Sequence, residues 1–306
     1  MRPKDLVGLN PLNKEELRDL LAFAQDVKTH RDRYRGALTG KILAMIFQKP
    51  STRTRVSFHG AMMQLGGNAM VLTQNDLQLG RGETVADTAR VLSRYVDGIM
   101  ARVFAHADIE ALAENASVPV INGLSDRLHP CQALADYLTM QERFGDIAGL
   151  PVTYIGDGNN VAHSLAFGAA KLGVNLTIGC PSGNEPDPTI LATANAEGQT
   201  TGATIRIVHD PQEAVTGAKV VYADVWTSMG EEAKAEEKRA ALAAYQVNKE
   251  LFGRADTDAI FMHCLPAHRG EEVTDEIADH ERSRIFDQAE NRLHTQKALL
   301  IELLGG

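Results

Sequence analysis

Short apolar runs recur along this chain, and stretches with helical periodicity separate them. This alternation narrows the fold more than any other feature. Lys41-Ile-Leu-Ala-Met-Ile-Phe-Gln48 has no polar face, so it suits a strand covered on both sides. A parallel sheet flanked by helices provides that cover. Runs at 69–72, 98–103 and 118–122 continue the series, with helices expected at 13–30, 56–65, 84–95 and 107–116. Asn13 suits the N-cap of the first helix, and Glu15 and Glu16 suit its first turn. A long helix is expected from His129 to Phe144, and Gly145-Asp-Ile-Ala-Gly149-Leu-Pro151 then breaks the pattern. A second series places strands at 152–155, 176–180, 205–208, 220–223 and 260–263, with helices at 161–172 and 189–196. The charged stretch 231–245 reads as an exposed helix, and 292–304 as an amphipathic one.

The expected fold class is α/β. Two domains, each a mainly parallel sheet flanked by helices, would be joined by a long helix and closed by a C-terminal helix. The boundaries are expected at 1–145 and 146–289, with 290–306 packing back on the first domain. A chain of 306 residues has room for both.

The net charge of −9 argues against nucleic acid as the main partner, since backbone phosphates need a basic face. A small anion needs only a local basic pocket. Cys131, Cys180 and Cys264 are odd in number and far apart, which fits neither a disulfide framework nor a structural zinc site. A reducing, cytoplasmic setting follows. Met1 leads into Arg2-Pro3-Lys4-Asp5 without an apolar run, so no signal peptide is expected, and no run is long enough for a membrane span.

Three phrases carry the chemistry. Pro50-Ser-Thr-Arg-Thr-Arg55 lies between a buried strand and a helix, where backbone N–H groups and the helix dipole favour an anion. Ser51, Thr52 and Thr54 add hydroxyls, and Arg53 adds a planar fork suited to phosphate. Arg55 is turned away from Arg53 around a helix and is expected to pair with a carboxylate. The plain alternative is a capping Ser51 with two surface arginines. Asp126-Arg-Leu-His129-Pro-Cys-Gln132 opens a helix with Pro130 at its first position. His129 and Gln132 are spaced to polarise a carbonyl and hold an amide, or to be a capping His and a solvated Gln. Phe261-Met-His-Cys264-Leu-Pro266 ends a buried strand, where open α/β sheets bind ligands. Cys264 there reads as a nucleophile, as a group that orients an attacking amine or takes its proton, or as a structural thiol. Gly156-Asp-Gly-Asn-Asn160 invites a dinucleotide reading. However, Val161 replaces the third glycine, and Gly179-Cys180-Pro181 lacks the ribose-binding acid.

Together these phrases resemble the aspartate/ornithine carbamoyltransferase family. Phe47 to Arg55 and His129 to Asp136 look like its carbamoyl-phosphate signatures. Cys131, Asp224-Val-Trp-Thr-Ser-Met-Gly230 and His263-Cys-Leu-Pro266 look like marks of its ornithine branch. The resemblance covers essentially the whole chain, and it implies a carbamoyltransferase making L-citrulline and phosphate from carbamoyl phosphate and L-ornithine, with arginine biosynthesis as the expected role. It further implies that Ser51, Thr52, Arg53 and Thr54 hold the phosphate, and that Thr54, Arg102 and His129 face the carbonyl oxygen. Gln132, the Cys264–Leu265 backbone and Arg292 would hold the carbamoyl group, and Gln78 would come from a neighbouring subunit of a homotrimer or a multiple of trimers. Asn160, Asp224, Ser228 and Met229 would hold ornithine, with Cys264 beside its δ-amine. That amine resembles a lysine, so only about one molecule in 10³ is neutral and able to attack at pH 7. A Cys264 thiolate is then a plausible proton acceptor. The resemblance implies no metal and no organic cofactor. A carbamoyltransferase for another amine, a non-catalytic anion-binding protein and a nicotinamide dehydrogenase are the competing classes.

Overall fold

The computed structural model describes residues 4–77, 82–227 and 232–305. Two compact units divide the chain, Met1–Leu138 with Glu290–Gly306, and Thr139–Ala289.

In the first unit, α1 (Lys14–Thr29) precedes β1 (Ile42–Phe47), α2 (Thr52–Gln64), β2 (Asn68–Thr73), α3 (Val85–Leu92), β3 (Gly98–Arg102), α4 (His106–Asn115) and β4 (Val120–Leu124). The strands form a parallel sheet in the order β2-β1-β3-β4. Its apolar runs behave as a two-sided core requires: β3 is buried along its whole length, and β1 from Leu43 onwards. The α1 N-terminus is a reciprocal capping box, with Glu16 N–H donating to Asn13 Oδ1 at 2.8 Å and Asn13 N–H to Glu16 Oε2 at 2.9 Å.

The chain passes through α5 (Pro130–Phe144) into the second unit. There β5 (Pro151–Ile155), α6 (Asn160–Leu172), β6 (Asn175–Gly179), α7 (Pro188–Gly198), β7 (Ile205–Val208), α8 (Pro211–Val215), β8 (Val220–Ala223), α9 (Ala235–Leu242), α10 (Lys249–Phe252), β9 (Ile260–His263) and α11 (Asp275–Ala278) follow. The strands form a parallel sheet in the order β7-β6-β5-β8-β9. The last helix, α12 (Ile285–Leu304), returns the chain to the first unit. A Cβ on Gly98 of β3 would lie 2.7 Å from Leu304 Cδ2, so glycine is what lets the end of α12 settle onto the sheet.

The expected strands appear close to their places. The helices differ more. α2 starts at Thr52 rather than Val56, because Ser51 caps it and the polar Thr-Arg-Thr-Arg run forms its first turn. α12 starts at Ile285 rather than Arg292, with Ile285 buried as an early anchor. The charged helix expected at 231–245 is broken: α9 is flanked by 3-10 turns at Glu232–Lys234 and Ala243–Tyr245. Leu242 and Tyr245 are both buried in the apolar cluster around β8 and β9, and the tighter turn puts them on one side. Among the described residues no helix is long and apolar enough to cross a membrane.

Candidate active site

In an open parallel sheet, loops diverge where the strand order reverses, and the crevice beyond the C-terminal strand ends accepts ligands. Each sheet has one such point. In the first unit it lies between β1 and β3, and in the second between β5 and β8.

Beyond β1 the chain enters α2 through Ser51, whose Oγ accepts the Thr54 N–H at 3.3 Å and donates to Thr54 Oγ1 at 3.1 Å. Thr52 is exposed and Arg53 is half-buried, and Arg53 makes no hydrogen bond or ion pair among the described residues. A capped helix N-terminus thus carries a guanidinium with no partner among the described residues, an arrangement suited to a phosphate. Arg55 is exposed and has no ion pair among the described residues, so its expected carboxylate partner is not found there. At the C-terminal end of β3, Arg102 is 6% exposed and follows a register shift that separates it from Ala101. Its carbonyl accepts the Gln48 N–H at 2.9 Å, while the Gln48 side chain accepts from Phe104 N–H and donates to Asp108, both at 2.9 Å. Gln48 therefore staples the loop after β1 to the loop after β3.

α5 brings His129 and Gln132 to the same unit's site. The His129 carbonyl accepts the Gln132 N–H at 3.1 Å and so starts the helix. The side chains of Gln132, Asp136 and Arg292 are all nearly inaccessible. Arg292 on α12 donates from Nη1 to Gln132 Oε1 at 2.8 Å, and Gln132 Nε2 donates to Asp136 Oδ1 at 2.8 Å. A longer contact of 3.5 Å joins Arg292 Nη2 to Thr54 Oγ1. Burial, then the charges of Arg292 and Arg102, hold the His129 pKa well below the ordinary histidine value. The imidazole is therefore neutral near pH 7 and can donate a hydrogen bond without adding a charge. Asp136, which in the sequence only closes the His129–Asp136 phrase, fixes the glutamine's orientation by accepting a hydrogen bond from its amide.

The second unit's site is organised by Asp224, at the end of β8. Its Oδ1 accepts from the Cys264 thiol at 2.8 Å and from Val225 N–H at 2.8 Å, and its Oδ2 accepts Asn159 Nδ2 at 2.7 Å. Asn159 is also the N-cap of α6, accepting from Val161 and Ala162 N–H. The Asn159 side chain thus bridges a helix start to a carboxylate. Its neighbour Asn160, the residue expected to hold the second substrate, opens α6 and accepts Ser164 Oγ on its carbonyl at 2.9 Å. The capping position was the available signal for Asn159. Gly158 leaves no room for a side chain, since its Cβ would sit 2.3 Å from Pro186 N. Gly158 thus serves a close chain approach, while Gly156 takes a positive φ of 133°.

Beyond β9, Cys264 is half-buried and precedes Leu265, whose φ of 58° is a left-handed conformation rare for a branched side chain. The Leu265 N–H donates to His263 Nδ1 at 2.9 Å, which puts the imidazole proton on Nε2, facing Glu272 Oε1 at 3.1 Å. His263 and Glu272 are fully buried, so this pair holds the unusual backbone from beneath. All three cysteines are free. Burial, the leading cause for both, pushes the Cys131 and Cys180 thiols up to about 12, which leaves Cys264 as the one placed for chemistry. Gln78, Ser228 and Met229 lie outside the described residues.

The model of the aspartate/ornithine carbamoyltransferase carbamoyl-P binding domain matches residues 4–142, and that of the Asp/Orn binding domain matches 148–303. The chain is 56% identical over 310 aligned residues to an ornithine carbamoyltransferase of Thermococcus kodakarensis, covering 99% of this chain and 97% of that one. It is 55% identical over 305 residues to an anabolic ornithine carbamoyltransferase of Pyrococcus furiosus, again 99% and 97% of the two chains. The solved ornithine carbamoyltransferase of Pyrococcus furiosus superposes with a TM-score of 0.96 at 55% identity, over 99% of this chain and 97% of that one. Two matched domain models, full-length identity above one half and a shared fold make this chain a member of the aspartate/ornithine carbamoyltransferase family.

Proposed function

We propose that this protein transfers the carbamoyl group of carbamoyl phosphate to the δ-amine of L-ornithine, giving L-citrulline and phosphate. The Asp224–Cys264 contact carries the ornithine reading: a carboxylate holds a thiol at a strand end of the unit matched by the Asp/Orn binding model. A cationic amino acid suits that carboxylate, and an amine suits the thiol beside it.

In the first unit, Ser51, Thr52, Arg53 and Thr54 take the phosphate. Arg102 and neutral His129 take the carbonyl oxygen, with Thr54. Arg292 and Gln132 hold the carbamoyl group. In the second unit, Asn160, Asp224 and Cys264 take the amino acid. The amine lone pair attacks the carbonyl carbon, and negative charge collects on the carbonyl oxygen. That charge is met by donors already in place, an effect worth about 10²–10³ in kcat for one such donor. The bond to the phosphate oxygen then breaks, phosphate leaves with the electron pair, and the attacking nitrogen gives up one proton, which the departing phosphate takes. The thiol already donates to Asp224, so Cys264 orients the amine in this arrangement, and proton acceptance would require that hydrogen bond to break.

The same reading makes the protein a homotrimer, with Gln78 donated across subunits, and places it in the cytoplasm with a role in arginine biosynthesis. Native mass measurement tests the trimer. The activity test offers carbamoyl phosphate with ornithine, N-acetylornithine, putrescine and aspartate. Citrulline formed from ornithine at least 100-fold faster than any other product supports the reading. Preference for another amine moves the protein to a different branch, and no product with any of them rejects carbamoyl transfer.

A further inference from the structure

The charged helix α9 is exposed along most of its length, as its composition demands, yet Lys238 differs. Its side chain is only 11% exposed, and its Nζ lies 2.8 Å from Oδ2 of Asp157, whose side chain is also 11% exposed. Asp157 stands in the tight turn between β5 and α6, and its other oxygen accepts Asn184 Nδ2 at 2.8 Å. The turn itself is hydrogen-bonded through the Asp157 carbonyl, which accepts the Tyr154 hydroxyl at 2.9 Å and the Asn159 N–H at 2.8 Å. The Tyr154 hydroxyl also lies 3.2 Å from Asn159 Oδ1. Asn159 in turn holds Asp224, and Asp224 holds the Cys264 thiol. An unbroken series of polar contacts therefore runs from Lys238 to the thiol, entirely within the second unit.

We infer that the Lys238–Asp157 ion pair is a clasp that sets the position of Asn159, and through it the Asp224–Cys264 pair, so that Lys238 is a positioning residue for the amine substrate. A surface ion pair contributes little, but one shielded at both ends is expensive to break from one side, and the strain falls on the turn it holds. The turn has little freedom to absorb it, because Gly158 is pressed against the 184–186 backbone. Lys238 touches no substrate in this account. Its effect is on the geometry of groups that do, where small displacements have large kinetic consequences.

The inference rests on the proposed function for its kinetic arm only. In the full-length protein, Lys238→Met is expected to raise the KM for ornithine at least tenfold, with the KM for carbamoyl phosphate within twofold of wild type, and Lys238→Arg is expected to restore most of the loss. Independently of turnover, alkylation of Cys264 by iodoacetamide, followed by peptide mapping, is expected to run at least fivefold faster in Lys238→Met, because the thiol is no longer held to Asp224. Asp157→Asn, which keeps the shape and the Asn184 contact, should behave as Lys238→Met does, and it serves where that variant folds poorly. An ornithine KM and a Cys264 alkylation rate both within twofold of wild type would overturn the clasp. So would a loss shared equally by both substrates, or an arginine variant no better than methionine. A wild-type protein that makes no citrulline would reject the function, while the alkylation rates still decide the clasp.

Discussion

Both units gather polar residues where strand order reverses, but the residues differ in sign. At the β1/β3 point three arginines, Arg53, Arg102 and Arg292, outnumber the one buried carboxylate, Asp136, with a histidine kept neutral among them. At the β5/β8 point the organising charge is the carboxylate of Asp224, held by an asparagine and a thiol. The first arrangement suits an anion whose leaving group gains charge. The second suits a cationic amino acid that must present a neutral amine. A common topology thus sets where a ligand sits, while the side chains set what it is.

Removing an arginine from the first point is the harshest way to break this contrast. Arg102→Ala is expected to lower kcat/KM for carbamoyl phosphate by about 10³-fold or more, since the loss combines a buried cation with a donor to the developing oxyanion. Steady-state kinetics with carbamoyl phosphate varied would measure it, and a loss below tenfold would remove Arg102 from the reacting atoms.

At the second point, Asp224→Asn keeps the shape and removes the charge. A loss of about 10²-fold in kcat/KM for ornithine is expected, with the KM for carbamoyl phosphate little changed. Equal losses for both substrates would show that the two points do not divide the substrates as described.

The pH dependence sharpens the comparison. At subsaturating ornithine the rate should rise by up to about tenfold per pH unit from pH 6 towards 8, following the neutral amine. His129 is held neutral over that range, so the rise belongs to the amine and should survive in His129→Asn at a lower rate. A flat wild-type profile would count against neutral-amine attack.

Stability gives the smallest effect. His129, His106 and His294 all have pKa values lowered in the folded state, with burial the leading cause in each. The unfolded chain therefore binds more protons below its ordinary histidine pKa of 6.5, and stability falls as pH drops through that value. Above it these groups are neutral in both states and contribute no slope. Comparing denaturant unfolding at pH 7.5 and 5.5, the difference should shrink by about 1 kcal/mol in His129→Asn.

The fold was legible because two-sided burial writes strands as uninterrupted apolar runs; β1 and β8 are such runs, and β3 is one up to Ala101. Helix limits were less legible. The polar first turn of α2 looks like loop until Ser51 is recognised as its cap, and α9 breaks where Leu242 and Tyr245 are drawn into the core. Of the candidate site, Ser51–Thr54, His129, Gln132 and Cys264 stand in compact phrases that the sequence shows directly. The roles of Asn159, Asp136 and Glu272 were not legible there, because each acts by holding another side chain. Such a role depends on partners distant in sequence, as with Asp224 and Asn159. Arg55, on an exposed helix face, has no carboxylate partner among the described residues.

The central claim is the division of the two substrates between two points of opposite charge. It is tested most directly by calorimetric binding of carbamoyl phosphate alone to the wild type, Arg102→Ala and Asp224→Asn. The predicted result is binding to Asp224→Asn within twofold of wild type, and binding to Arg102→Ala weaker by about 100-fold, or ~2.7 kcal/mol. Equal weakening in both variants, or undiminished binding by Arg102→Ala, would contradict it.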